Sequence, residues 1–212
     1  MLPRSTPTLS SVPTASAPAL WLVRHGESTW NTQGLCQGHR DDAELTARGI
    51  AQAAAVAEQL SSLSVSAVYS SDLRRAMQTA VVVAEVLGRR VIRDARLRER
   101  SLGVLEGTVL AEASPTVTGI EGGLVRDPDA RPYGGESVRD LYQRAAAFYD
   151  ELARRPNERP GDVILVAHGG TLRVLRAYLS GIPVDGMHWE ALENARVLRI
   201  DGVGTNPLGG TE

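Results

Sequence analysis

The sequence predicts an α/β fold, a three-layer α/β/α sandwich built as a single domain around a mostly parallel central sheet. Three observations carry this. Short apolar runs without polar alternation, Val163 to Ala167 above all, suit strands covered on both faces. These runs alternate with helical patterns, the signature of successive βαβ units. At 212 residues, 42% hydrophobic and 23% charged, the chain can bury one core of ordinary size but not a second full domain.

The elements follow in order. Residues 1–18 are rich in Ser, Thr, Pro and Ala, and their few apolar side chains cannot offset the entropy of ordering, so a disordered leader is expected. The domain then spans 19–202, and 203–212, with Gly204, Pro207, Gly209 and Gly210, is expected as a flexible tail. Ala19 to Val23 reads as the first strand, followed by a helix from about Thr46 to Leu60, a strand from Ala67 to Tyr69, a helix from about Asp72 to Leu87, and a strand from Val91 to Arg93. The glycine-dotted stretch to Gly135 has no period, and so long a connection is the natural place for a lid or substrate-selecting segment. The next helix, about Ser137 to Arg154, opens with Ser137 and Asp140 at capping-box spacing. The strand Val163 to Ala167, a helix from about Thr171 to Leu179, and a last strand from Arg196 to Ile200 complete the set; no internal repeat is visible.

Composition removes several classes of function. All 23 basic residues are arginine, which excludes lysine Schiff-base chemistry and a P-loop lysine. The accompanying wealth of Ala, Val and Gly indicates a coding bias, so an arginine counts only where its position is special. The single cysteine, Cys36, excludes an intramolecular disulfide and any metal site built on cysteine spacing. A net charge of -2 gives no reason to expect nucleic acid or a membrane as partner. With no apolar run of ~18 residues and no signal-peptide stretch, a cytoplasmic location is expected.

Polar clusters follow the C-terminal ends of three of these strands: Arg24-His25-Gly26-Glu27, Ser70 to Arg75, and His168-Gly169-Gly170. In an open α/β sheet these ends border one crevice, so two histidines and several arginines are expected to converge. Glycines 26, 169 and 170 allow close approach of the backbone to a ligand, and each cluster leads into a helix N-terminus that favours an anion. The ligand class implied is phosphate. The four histidines, His25, His39, His168 and His188, show no short ligand spacing, so neither metal nor cofactor is expected.

The segment Leu22 to Asn31, with Arg24-His25-Gly26, resembles the RHG motif of the histidine phosphatase superfamily, the phosphoglycerate mutase-like family. Four further segments resemble its other motifs in the same order: Ser71 to Ala80, Leu97 to Arg100 with Gly103 through Gly107, Pro132 to Ser137, and Val166 to Gly170. The likeness spans residues 20 to about 200. It departs in a longer loop between Gln37-Gly38 and Leu45-Thr46, which leaves the rim of the pocket open.

The resemblance implies that His25 is the nucleophile and becomes phosphohistidine. It further implies that Arg24 and Arg75 hold the phosphoryl oxygens, that Asn31 and His168 add hydrogen bonds to them with Gly169 beside the group, and that Glu99 is general acid and then base. Asn31 is equally readable as a brace for the loop after His25. Glu99 stands among Arg96, Arg98 and Arg100, where a solvated ion pair is the competing reading. Arg74 reads as a surface charge, Glu136 and Ser137 as turn and cap residues, and Cys36 as inert.

The expectation that the resemblance implies is a metal-independent phosphomonoester phosphatase acting through phosphohistidine on a small phosphorylated metabolite. The alternatives are a cofactor-dependent phosphoglycerate mutase and a non-catalytic phosphate-ligand-binding protein on the same fold. Mutases of this family carry a longer basic insertion after the acid/base segment, whereas Thr108 to Tyr133 holds only Arg126 and Arg131 among Glu112, Glu121, Asp127 and Asp129. The substrate's other half is expected to meet residues 104–135 and the loop near 181–194, where Trp189 offers an apolar or stacking surface. The oligomeric state is not legible.

Overall fold

The computed structural model describes residues 18–109, 113–155 and 161–201; the expected leader, apart from Pro18, and the expected tail fall outside them. The strands are β1 (Leu20–Arg24), β2 (Val65–Ser70), β3 (Val91–Arg93), β4 (Ile120–Glu121), β5 (Leu124–Val125), β6 (Asp162–Ala167) and β7 (Val197–Ile200). The helices are α1 (Thr29–Thr32), α2 (Ala47–Leu60), α3 (Arg74–Val86), α4 (Pro115–Thr118), α5 (Val138–Arg154) and α6 (Gly169–Leu179).

The main sheet has the order β3-β2-β6-β1-β7. All its pairings are parallel except that of the edge strand β7 with β1. The period of two along each strand sorts the core into layers. Leu20, Leu22, Leu165 and Ala167 face α5 and α6, packing on Phe148, Tyr149, Leu172 and Leu175. Val23, Ile164 and Val166 face α2 and α3, packing on Val56, Leu60, Ala76, Ala80 and Val83. This is the expected three-layer sandwich in a single domain.

Register places the chemistry. Arg24 pairs with Ala167 at the C-terminal end of the β1–β6 ladder. The ladder runs one step further on each side of β6, because His25 N–H donates to the Ala167 carbonyl and Ser71 N–H to the Val166 carbonyl, both at 3.0 Å. His25, Ser71 and His168 therefore leave the sheet at one level.

Helix ends follow their caps. Thr46 accepts from Gly49 N–H at the head of α2. Ser137 and Asp140 form the reciprocal capping box of α5. Asp72 does not start α3 as expected; it pairs with Arg98 at 2.6 Å, and the helix begins at Arg74, whose N–H donates to Asp41. Helix α6 begins at Gly169, two residues earlier than the apolar pattern indicated, because glycine adds nothing to that pattern yet is free to take helical dihedrals.

The glycine-dotted connection has structure of its own. Helix α4 ends on Gly119, at a left-handed φ of 74°, where a methyl group would collide with the Asp127 carbonyl. The β4–β5 hairpin follows and docks through Val125 N–H to the Met187 carbonyl at 3.0 Å. Val125, Val138, Leu141, Val174, Val184 and Met187 form a separate small core beneath it. Strands of two residues lie below the reach of any periodicity argument, so sequence pattern could not show them.

Candidate active site

A cleft of about 330 Å³ opens at the C-terminal edge of the sheet. Six of the seven residues expected at the site border it directly: Arg24, His25, Asn31, Arg75, Glu99 and Gly169. The seventh, His168, is fully buried behind it, its ring in edge contact with His25 at 5.2 Å between centroids.

His25 is anchored on one side and free on the other. Its Nδ1 lies 2.7 Å from the Gly26 carbonyl, which can only accept, so the proton sits on Nδ1 and the lone pair on Nε2. Burial, then the charges of Arg75 and Arg24, hold the imidazole well below its ordinary value. The ring is neutral at physiological pH, as a nucleophilic nitrogen must be. Asn194 braces the turn behind it, donating from Nδ2 to the carbonyls of His25 and Gly26 at 3.2 and 3.3 Å.

His168 is likewise neutral, held well below its ordinary value by burial and then by Arg75. Its Nε2 lies 2.9 Å from Ser71 Oγ. That hydroxyl accepts from Leu73 N–H, and His168 Nε2 is the acceptor within its reach. Ser71 thus donates, and the His168 proton is left on Nδ1.

Among the described residues, the buried side-chain nitrogens and oxygens without a hydrogen-bond partner are three: Arg24 Nε, Arg75 Nε and His168 Nδ1. An unmet buried donor costs roughly 1–3 kcal/mol; two of these three are on residues that border the cleft and the third is on the ring packed against His25, so an anion in the cleft is the kind of partner they lack. The terminal nitrogens of Arg75 hold the 37–42 loop instead, donating to the carbonyls of Arg40 and Gly38 at 2.8 and 2.9 Å. Burial pushes the Arg75 guanidinium down to about 10, with Glu99 opposing, so it keeps its charge at neutral pH. Arg24 Nη1 donates to the Leu192 carbonyl, and burial lowers Arg24 as well.

Asn31 makes the bracing contacts that one of its two readings expected. Its Oδ1 accepts from Ser28 N–H at 3.0 Å and from Asn194 at 3.1 Å, which fixes the amide and leaves Nδ2 for the cleft. Glu99 is free of the ion pair that its neighbours suggested. Arg96 pairs with Asp94 and Glu151, Arg98 with Asp72, and Arg100 spends all three nitrogens on the carbonyls of Glu136, Thr118 and Ala130. The Glu99 carboxylate accepts Arg100 N–H at 2.8 Å and Gly170 N–H at 2.9 Å. Arg144 holds the strand of chain that carries it, donating to the carbonyls of Arg96, Arg98 and Glu99 while paired with Glu136.

Two expectations need correction. Gly26 is small for the protein's sake, since a methyl there would strike the Gly49 carbonyl at the head of α2, and Gly170 makes room for the Glu99 carboxylate. The helix N-terminus after His25 is not offered to an anion, because Ser28 and Asn31 close it with a capping box, and the head of α3 donates to Asp41. Only α6 opens on the cleft.

Sequence reasoning gave no role to Ser71, Asn194, Arg144 or Arg173. Arg173 borders the cleft with its guanidinium 5.1 Å from the Trp189 ring, the surface expected to offer stacking, and it lies one helical turn after Gly169. That i, i+4 spacing was the available signal. Cys36 is buried at the cleft wall, where burial pushes its thiol up and keeps it unreactive. No group of three or more His, Cys, Asp or Glu residues is placed to hold a metal ion among the described residues. No described helix is long and apolar enough to cross a membrane.

A family model for the histidine phosphatase superfamily (branch 1) matches residues 20–207. A protein of Klebsiella pneumoniae named "probable phosphoglycerate mutase" is 38% identical over 184 residues, covering 86% of this chain and 84% of its own. The solved structure of a mycobacterial glucosyl-3-phosphoglycerate phosphatase complexed with VO3 superposes with a TM-score of 0.75 at 36% identity, covering 86% of this chain and 92% of its own. A phosphoserine phosphatase of Entamoeba histolytica, solved with 3-phosphoglyceric acid, superposes with a TM-score of 0.70 at 26% identity, covering 86% of this chain and 89% of its own.

Proposed function

Since this chain belongs to the histidine phosphatase superfamily, we propose that it is a cytoplasmic, metal-independent phosphatase that hydrolyses a small phosphomonoester through a phosphohistidine on His25. The observation that carries this reading is that Arg24 and Arg75, which border the cleft, and His168, whose ring contacts His25, each keep an unpartnered nitrogen beside a neutral histidine whose Nδ1 is anchored and whose Nε2 makes no hydrogen bond among the described residues. A phosphoryl group offers three oxygens to those donors and to Asn31 Nδ2. The guanidinium charges offset the charge of the transition state.

In the first step the lone pair of His25 Nε2 forms a bond to phosphorus as the ester P–O bond breaks, and Glu99 delivers a proton to the leaving oxygen. In the second, water attacks the phosphorus, Glu99 takes the water's proton, and the P–N bond breaks to release phosphate and restore His25. A purely binding role would use the arginines but would leave unexplained a neutral histidine with its Nε2 free and a carboxylate fixed by two backbone N–H groups.

Charge separates phosphatase from mutase, the reading that the names of several relatives favour. A mutase must hold a second phosphate group. Of the arginines beyond Arg24 and Arg75 at the cleft, Arg100 has its three nitrogens engaged and only Arg173 has terminal nitrogens to offer. Arg126 is exposed and Arg131 pairs with Asp140. Incubation with 3-phosphoglycerate, with and without 2,3-bisphosphoglycerate, tests this: phosphate release with isomerisation at background is expected. Isomerisation stimulated by the bisphosphate and outrunning phosphate release would place the protein with the mutases.

A further inference from the structure

We propose that the leaving-group half of the substrate carries a carboxylate and that Arg173 receives it, an inference that rests on the phosphatase reading above. Four guanidinium groups, those of Arg24, Arg75, Arg100 and Arg173, border the cleft against a single carboxylate, Glu99. A dianionic phosphoryl group leaves one positive charge without a counterpart while Glu99 is ionised, and two when it carries the proton for the leaving oxygen. The residue free to meet the missing negative charge is Arg173.

Its position is fixed from behind. Nε donates to the Glu190 carbonyl and the guanidinium carbon lies 5.1 Å over the Trp189 ring, while the two terminal nitrogens make no hydrogen bond among the described residues. Burial lowers Arg173 from its ordinary value, and Glu99 is the group that most opposes this. A cation drawn out of water in this way gains by an anionic partner.

Placement points to the leaving group and not to the phosphoryl group. Consecutive glycines at the head of α6 make room for the two residues in question: Gly169 lies against Arg173 Nη1, and Gly170 against Glu99 Oε1. Glu99 serves the leaving oxygen, so a group that reaches Arg173 hangs from the carbon skeleton within a few bonds of that oxygen. One guanidinium fork matches a carboxylate in charge and in its two parallel acceptors, whereas a second phosphate would demand more donors. Leu102, Ile120 and Trp189 give the remainder of the cleft apolar walls that suit a short carbon chain.

Matched substrates test the idea: 2- and 3-phosphoglycerate against glycerol 2- and 3-phosphate, pairs that differ in one carboxylate. Wild type should favour one or both phosphoglycerates over the matching glycerol phosphate by ~10- to 100-fold in kcat/KM, as a charge-assisted pair implies. Arg173→Met should cut that preference to under about threefold, chiefly through KM, and Arg173→Lys should keep part of it. Equal losses on both members of each pair would overturn the proposal and make Arg173 a brace for the 188–192 loop. A wild type without preference would overturn it too. Failure to release phosphate from any substrate, p-nitrophenyl phosphate included, would sink the phosphatase reading instead. Calorimetric binding of the same four compounds then decides the subsite alone: tighter binding of the carboxylates, lost in Arg173→Met, supports it, and equal affinities refute it.

Discussion

Ser71 touches no part of the cleft, yet its hydroxyl should control the rate. It lies 2.9 Å from His168 Nε2, and by donating there it holds the His168 proton on Nδ1, the buried and unpartnered nitrogen that the proposed mechanism gives to a phosphoryl oxygen. In Ser71→Ala that bias disappears. A buried hydrogen bond of about 1–1.5 kcal/mol corresponds to roughly tenfold in tautomer population. The competing tautomer turns a lone pair toward a phosphoryl oxygen, and losing such a donor outright costs ~10² to 10³ in kcat. A tenfold shift in the tautomer ratio removes at most about tenfold of the donating form, so kcat should fall by about three- to tenfold with p-nitrophenyl phosphate, with little change in KM. The loss of stability should stay within about 2 kcal/mol, because the change removes a single oxygen. Steady-state kinetics reads the first effect, and ¹⁵N NMR of the His168 ring reads the tautomer directly. A kcat within twofold of wild type, or a His168 proton that remains on Nδ1, would refute the reasoning.

Two further perturbations follow. A methyl group on Gly170 would strike Glu99 Oε1, so Gly170→Ala should keep a folded protein with the Glu99 carboxylate displaced. The phosphorylation step, read by rapid mixing, should slow ~10²-fold or more for an alkyl phosphate and less for nitrophenyl phosphate, whose leaving group needs no proton; equal losses in that step would separate Glu99 from acid catalysis. His25 and His168 are both held well below their ordinary value of 6.5 in the folded protein. The unfolded chain therefore binds more protons as pH falls through 6.5, and the stability present above 6.5 is lost below it. Each histidine should contribute up to about 1.4 kcal/mol per pH unit until its folded value is reached. Urea melts from pH 7.5 to 5 should show this slope, shallower in His25→Asn; identical slopes would mean that His25 titrates alike in both states.

The layers and the site differed in how far the sequence disclosed them. Apolar runs such as Val163 to Ala167 gave the strands because burial on both faces leaves a direct mark on composition. The polar residues at the strand ends gave His25, Arg24, Arg75 and His168, since parallel strands in register must deliver their C-terminal ends to one edge. What stayed hidden is held by contacts between distant segments. Arg144 reaches from mid-α5 to three carbonyls at 96–99, and Asn194 reaches back to residues 25–31, with nothing in their own neighbourhoods to distinguish them in a chain of 23 arginines. The glycines misled for a related reason: a residue without a side chain signals close approach but not what approaches, and at Gly26 it is the backbone of α2. Charge counted along residues 108–133 likewise missed Arg100 and Arg173, which enter the cleft from outside that window.

The central claim is that His25 Nε2 carries the phosphoryl group between substrate and water. Rapid quenching of the enzyme with ³²P-labelled phosphomonoester, in alkali and in acid, tests it most directly. The account predicts label bound to the protein that survives alkali, is lost in acid, and maps to the peptide containing His25, while His25→Ala shows neither label nor turnover yet melts close to wild type. Turnover that persists in His25→Ala, or label that survives acid or maps to another residue, would contradict it.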